Sequence, residues 1–217
     1  MFFFKSSSGA VHEESQPAEE VKRGGGACVT LTVWRKSLLL TCNGFTVIDR
    51  NGNIVYRVDN YVERPEEMIL MDGLGKSVLT MCRSMRLGLA ESWCVNEGEI
   101  GGETRARARE RARKKPIFRV RKNMNILHAA PNSKVLAYVY DYRISEKKLA
   151  YRVEGSYGHR SCKILDASRR VVAEVKRKEA VKGGVCFGAE VFLLVVLPGF
   201  DPGFAMALVL LLDQMFS

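Results

Sequence analysis

At 217 residues, 47% of them apolar, the chain is long enough to bury one sizeable core and too hydrophobic for a wholly disordered protein. Its formal charge of +10 points to a partner of opposite sign, either nucleic acid or an anionic membrane surface. The excess is local: from Arg105 to Lys122 there are ten Lys or Arg against one acid, Glu110, so the remainder is close to neutral. The six cysteines are spread without a C-x-x-C pair, and His12, His128 and His159 stand far apart. Reduced, mostly buried thiols in an intracellular protein are expected, with no metal and no cofactor.

Residues 1–26 combine Ser, Glu and Pro with Gly24-Gly25-Gly26, the composition of a flexible tail. The apolar Met1–Phe4 is followed at once by Lys5 and a Ser/Gly run, which is not the pattern of a secretory leader. From Ala27 onward, short β-type runs alternate with turn residues, as in a sandwich or barrel.

The clearest local signal spans residues 45–58, where two β-rich arms flank Asn51-Gly52. Asn-Gly supplies the positive φ angles of a tight hairpin turn. The order apolar-apolar-Asp, turn, strand recurs at Ile69 to Thr80 around Asp72 and at Lys163 to Val175 around Asp166. It predicts a sheet of successive hairpins in which each Asp bonds turn amides. Asp72-Gly73-Leu74-Gly75-Lys76-Ser77 superficially resembles a phosphate loop. The required earlier glycine is Leu70, and the following Val78-Leu79-Thr80-Met81 reads as a strand, where a phosphate loop must open a helix.

The run carrying Arg105, Arg107, Arg109, Arg111, Arg113, Lys114 and Lys115 lies between Gly101-Gly102 and Pro116. It reads as an inserted, solvated loop at about residues 99–115 and as the candidate anion- or lipid-binding site; beside an anionic membrane each cation contributes about 1 kcal/mol. The same charges suit contact with nucleic-acid phosphates or nuclear import. No aromatic residue lies between Gly101 and Pro116, which argues against base stacking.

At the C-terminus, Val191 to Leu197 is continuously apolar, as in a strand buried on both faces. Asp201-Pro202 then sets a helix start, with Asp at the N-cap and Pro at the first helical position. The helix expected at residues 202–216 is apolar on every side, so it must be buried in protein or in lipid. It would run about 22 Å, short of the roughly 30 Å hydrocarbon core. A core helix is therefore expected, with Phe204, Met206, Leu208, Val209, Leu210, Leu211 and Leu212 in the centre of a barrel formed by the preceding strands. The chain shows no nucleophile elbow and no visible base for a Ser or Cys nucleophile, so no catalytic residue is assigned.

Thr32 to Leu40, Gly44 to Val47, Tyr56 to Tyr61, Ser92-Trp93, Phe118 to Lys122, Val153 to Ser156, Val172 to Lys178 and Phe200 to Val209 follow one another along the chain. In that order these segments resemble the LURP-one-related family. The resemblance implies a tubby-C-terminal-like fold, a barrel of about twelve strands threaded by the C-terminal helix and related to phospholipid scramblases. It further implies a plant source, a single domain over residues 27–217 and a role in defence. Two departures stand out: the stretch Gly98 to Lys115 looks inserted, and Glu190 stands where the family usually has Asp. The expected function is a non-enzymatic, monomeric binding or adaptor protein that docks on anionic phospholipid or phosphoinositide, alongside an unidentified protein partner. Its expected place is cytoplasmic with peripheral membrane association. The alternative is a nuclear regulator using the basic loop for import or nucleic-acid contact. Lipid scrambling fits poorly, because it would need the core helix in the bilayer.

Overall fold

A computed structural model describes residues 26–39, 43–60, 66–84, 91–98, 115–124, 135–144, 148–179 and 188–216. Residues 1–25 of the tail, residues 40–42 and residues 99–114, with most of the basic run, lie outside the described residues. The described chain forms β1 (Val29–Trp34), β2 (Asn43–Ile48), β3 (Ile54–Asn60), β4 (Glu67–Asp72), β5 (Ser77–Ser84) and β6 (Ser92–Glu97). It continues through β7 (Phe118–Lys122), β8 (Val135–Asp141), β9 (Leu149–Ser156), β10 (Ser161–Asp166), β11 (Val171–Arg177), β12 (Val191–Val196) and one helix, α1 (Pro202–Phe216). Consecutive strands pair antiparallel, and β1 pairs with β12 from Val29–Val196 to Trp34–Val191, closing a barrel.

Strand periodicity fills its interior, since successive side chains point to opposite faces. Leu31 and Val33 of β1, Leu70 of β4, Met81 of β5, Trp93 and Val95 of β6, and Ile164 of β10 are all buried. β12 follows the same alternation: Phe192, Leu194 and Val196 are buried while Val191, Leu193 and Val195 are half-buried. The continuous apolar run is thus fully buried on its inner face and half-buried on its outer face, where no second layer covers the wall among the described residues. Leu193 stands in register between Thr32 and Lys176, and Val195 between Thr30 and Glu174.

The helix occupies the interior. Twelve of its fifteen residues are buried, and burying each Leu, Val, Met or Phe side chain contributes about 1.5–3 kcal/mol. Its start is capped as the sequence indicates: the Phe204 N–H donates to Asp201 Oδ1 at 2.6 Å, satisfying an otherwise orphaned donor of the first turn. Around that turn Phe118 and Phe204 stack with ring centroids 4.1 Å apart. Phe200 packs edge-on to Phe204 at 5.8 Å and to Tyr151 at 5.1 Å. Among the described residues no helix is long and apolar enough to cross a membrane.

The antiparallel order gives the barrel two ends. The helix starts at the proximal end, which carries the β2–β3, β4–β5, β6–β7, β8–β9 and β10–β11 connections. It stops at the distal end, where the remaining strand connections lie.

Three proximal hairpins are copies of one design. Asp49 Oδ1 accepts from the backbone N–H groups of Asn51 and Asn53, both at 2.8 Å. Asp72 Oδ1 accepts from Leu74 at 2.9 Å and Lys76 at 2.8 Å, and Asp166 Oδ1 accepts from Arg170 at 2.9 Å. The third residue after each Asp has positive φ: Gly52 at 86°, Gly75 at 88° and Arg169 at 63°. The outgoing strand then carries one extra residue (Val55, Val78 or Val172) as a bulge. The Asn51-Gly52 hairpin therefore differs from a two-residue turn with two positive φ angles. Only Gly52 is left-handed, as in a three-residue loop, because Asp49 already satisfies the turn amides.

Candidate functional site

Buried polar groups are the informative exceptions in an apolar core, and here they gather at the distal end. Asp213, in the last turn of α1, is 5% exposed. Its Oδ1 accepts from the Tyr157 hydroxyl at 3.1 Å and lies 3.0 Å from Arg35 Nε. Arg35 also reaches Glu190 at 3.6 Å, and its backbone N–H donates to the Glu190 carbonyl at 2.8 Å. Lys122 turns inward from β7 and its Nζ donates to the Met215 carbonyl, placing a cation where the helix exposes unsatisfied carbonyls. Burial, with Asp213 second, drives the Tyr157 phenol well above its ordinary range. Burial opposes the Arg35 charge, but Asp213 and then Glu190 hold the guanidinium above its usual value. The β1–β2, β9–β10 and β11–β12 connections and β7 are thus tied to one helix end.

Arg160 closes the same region. It is buried, its Nε donates to the Ala189 carbonyl at 2.8 Å, and its guanidinium stacks 4.2 Å from the Tyr157 ring and 4.6 Å from that of Phe192. Beside this network lies a cleft of about 560 Å³, floored by Phe45, Val58 and Met68 and rimmed by Lys36, Asn43 and Gln214.

Among the described residues the geometry offers little covalent chemistry. Burial pushes the Cys162 thiol up to about 11, so the nucleophilic thiolate is disfavoured there. Ser156 Oγ lies 2.8 Å from His159 Nδ1, but the two are three residues apart on an exposed turn. Among the described residues no carboxylate orients that ring, as an activated nucleophile requires. No group of three or more metal-ligating side chains occurs among the described residues.

The positive charge behaves differently from the distal network. Of the sequence-predicted anion-binding residues, Arg105, Arg107, Arg109, Arg111, Arg113 and Lys114 lie outside the described residues, while Lys115 is exposed. The run continues into β7, whose period of two sorts it. Phe118 and Val120 face the core; Arg119 and Arg121 lie on the outer face, Arg119 covered by its neighbours and Arg121 exposed. The Arg119 guanidinium lies 4.7 Å from the Tyr142 ring, and that of Arg121 5.2 Å from Tyr140. Arg119 Nη2 also donates to Cys94 Sγ at 3.7 Å. Neither guanidinium meets a carboxylate among the described residues. In the β2–β3 and β10–β11 turns the aspartates are held by local bonds. The Asn53 amide foremost keeps the Asp49 carboxyl below its usual range, and the Arg170 N–H does so for Asp166.

Sequence reasoning passed over the tyrosines and the distal network. Asp213, the single charged residue of the helix, was the available signal for the network. The tyrosines become visible only through the register, Arg119 opposite Tyr140 and Arg121 opposite Tyr138.

The chain matches a family model described as LURP-one-related over residues 29–213, a span that holds the closed barrel and most of its C-terminal helix. The chain belongs to the LURP-one-related family. It is 49% identical to Protein LURP-one-related 17 of Arabidopsis thaliana, an alignment covering 99% of each chain. It is 46% identical to Protein LURP-one-related 8 of the same plant, over 88% of each. An X-ray structure of an Arabidopsis thaliana protein matches with a TM-score of 0.57 at 23% identity, covering 86% of this chain and 90% of that one. That likeness speaks for the fold alone.

Proposed function

We propose that this LURP-one-related chain is a non-enzymatic, monomeric binding or adaptor module that docks reversibly on anionic phospholipid, with plant defence as its setting. The observation that carries the reading is the outer basic face of β7. Lys115 and Arg121 are exposed at the end of the basic run, with Arg119 covered between them, and Arg121 rests on the Tyr140 ring and meets no carboxylate among the described residues. Cations of this kind are attracted to anionic headgroups, and Tyr rings suit the interface between water and lipid. The poor provision for catalysis described above supports a binding role rather than a chemical one.

Co-sedimentation with vesicles tests the reading. Phosphatidylserine- or phosphoinositide-containing vesicles are expected to bind the protein, neutral phosphatidylcholine vesicles are not, and binding is expected to fade with salt. Lys115→Gln with Arg121→Gln should weaken it roughly thirtyfold, at about 1 kcal/mol per cation, and deletion of residues 101–115 should weaken it further. Binding indifferent to lipid charge, or no binding to any vesicle, would overturn it.

A further inference from the structure

Two apolar side chains at the proximal end are exposed beyond anything the fold requires. Leu74, in the β4–β5 turn, is 96% exposed, and Ile144, in the β8–β9 turn, is 63% exposed. The β4–β5 turn is held by its backbone and by the Asp72 carboxylate, whose Oδ1 accepts from the Leu74 N–H at 2.9 Å. The leucine side chain therefore contributes nothing to the turn. An isolated exposed apolar residue needs no explanation. These two, however, share one end of the barrel. Strands β4 to β9 are consecutive neighbours, so the tips flank the β6–β7 connection, whose described end carries exposed Lys115. The Leu74 tip also has an exposed cation close in sequence, Lys76, whereas Arg143, directly before Ile144, is bound to the Asp141 carboxylate with its Nη2 at 3.2 Å. An apolar side chain beside a cation suits a lipid interface, with the hydrocarbon entering the acyl region and the charge remaining among the phosphates.

We infer that the proximal end is a membrane-inserting face on which Leu74 and Ile144 enter the acyl region of an anionic bilayer while the exposed Lys76 and Lys115 hold the phosphates. The inference rests on the docking reading above and adds to it an orientation and a second, apolar source of affinity. Electrostatic attraction brings the chain to the surface and fades with salt, whereas apolar insertion does not.

The test uses the full chain and vesicles of phosphatidylserine and phosphatidylcholine. Leu74→Ser and Ile144→Ser are each expected to weaken vesicle affinity about tenfold, the scale of one buried aliphatic side chain. Their melting temperatures should be unchanged, because both side chains are already in water. The loss should persist at high salt. In a separate variant, Leu74→Trp, the added fluorescence should be quenched by lipids brominated in the acyl chain. Unchanged affinity in both Ser variants, with Trp fluorescence unquenched, would overturn insertion while leaving charge-dependent docking intact, and would turn the tips toward a protein partner. Failure of the unaltered chain to bind any vesicle would overturn both readings.

Discussion

At the proximal end of the barrel, four aromatic rings pack around the first turn of the helix, and the hairpins are fixed by aspartates bonded to nearby backbone amides. At the distal end, the last helical turn is held by Asp213, Arg35, Tyr157 and Lys122, contributed by parts of the chain far apart in sequence. The proximal end stabilises itself locally, so Leu74 and Ile144 at its tips are free of structural duty and can serve a surface. The distal end has its buried charges committed to the fold. That difference is why the apolar tips and the exposed basic residues are read as function, and the buried charges as a latch.

The strongest way to break the comparison is to attack what both ends serve. Leu210 is fully buried in α1, and Leu210→Asp places an unpaired charge inside the barrel. The expected cost exceeds about 5 kcal/mol, comparable to the whole stability of a domain. The variant should show no cooperative melting by circular dichroism; a soluble variant that melts cooperatively would mean the helix is not central. The latch comes next. Asp213→Ala leaves Arg35 and Tyr157 without their buried acceptor and should cost about 3–5 kcal/mol in urea unfolding. Asp213→Asn keeps one acceptor oxygen and should cost less. Equal stability of Asp213→Ala and the unaltered chain would remove the latch from the account.

The smallest effect sharpens the claim that the proximal hairpins are autonomous copies. Arg169 takes the left-handed position that Gly52 and Gly75 hold in the other two. Arg169→Gly should therefore stabilise the protein by about 0.5–1 kcal/mol, and Gly75→Ala should destabilise it by a similar amount. Arg169→Gly also removes an ion pair with Glu154, but that pair is 3.9 Å long with Arg169 largely in solvent, and such pairs are worth little at the surface. A melting temperature that falls for Arg169→Gly would show that the three turns are not equivalent.

Much of the fold was legible because its causes are local. The Asp-to-turn bonds, the Asp201 cap and the helix apolar on all faces each depend on residues within a few positions of one another, and the helix forced the surrounding barrel. The β12 face could not be read so simply. A continuous apolar run looks the same whether one face or both are covered, and the difference lies in what packs outside. The latch was illegible for a stronger reason: Asp213 meets Arg35 across 178 residues and Tyr157 across 56, separations no motif spans. The outward pair Arg119 and Arg121 follows from strand period alone, but their aromatic support needed the β7–β8 register. The tips were hidden in plain sequence, since Leu74 reads as an ordinary hairpin residue until the topology brings Ile144 to the same end.

The claim that the proximal end is the working face is tested most directly by hydrogen exchange of the full chain, free and bound to phosphatidylserine vesicles. Slowed exchange confined to the proximal turns, at residues 73–76 and 142–144, is the predicted result, with residues 35–39 and 157–160 at the distal end exchanging as in the free protein. Protection at the distal end with the proximal turns unchanged would contradict it.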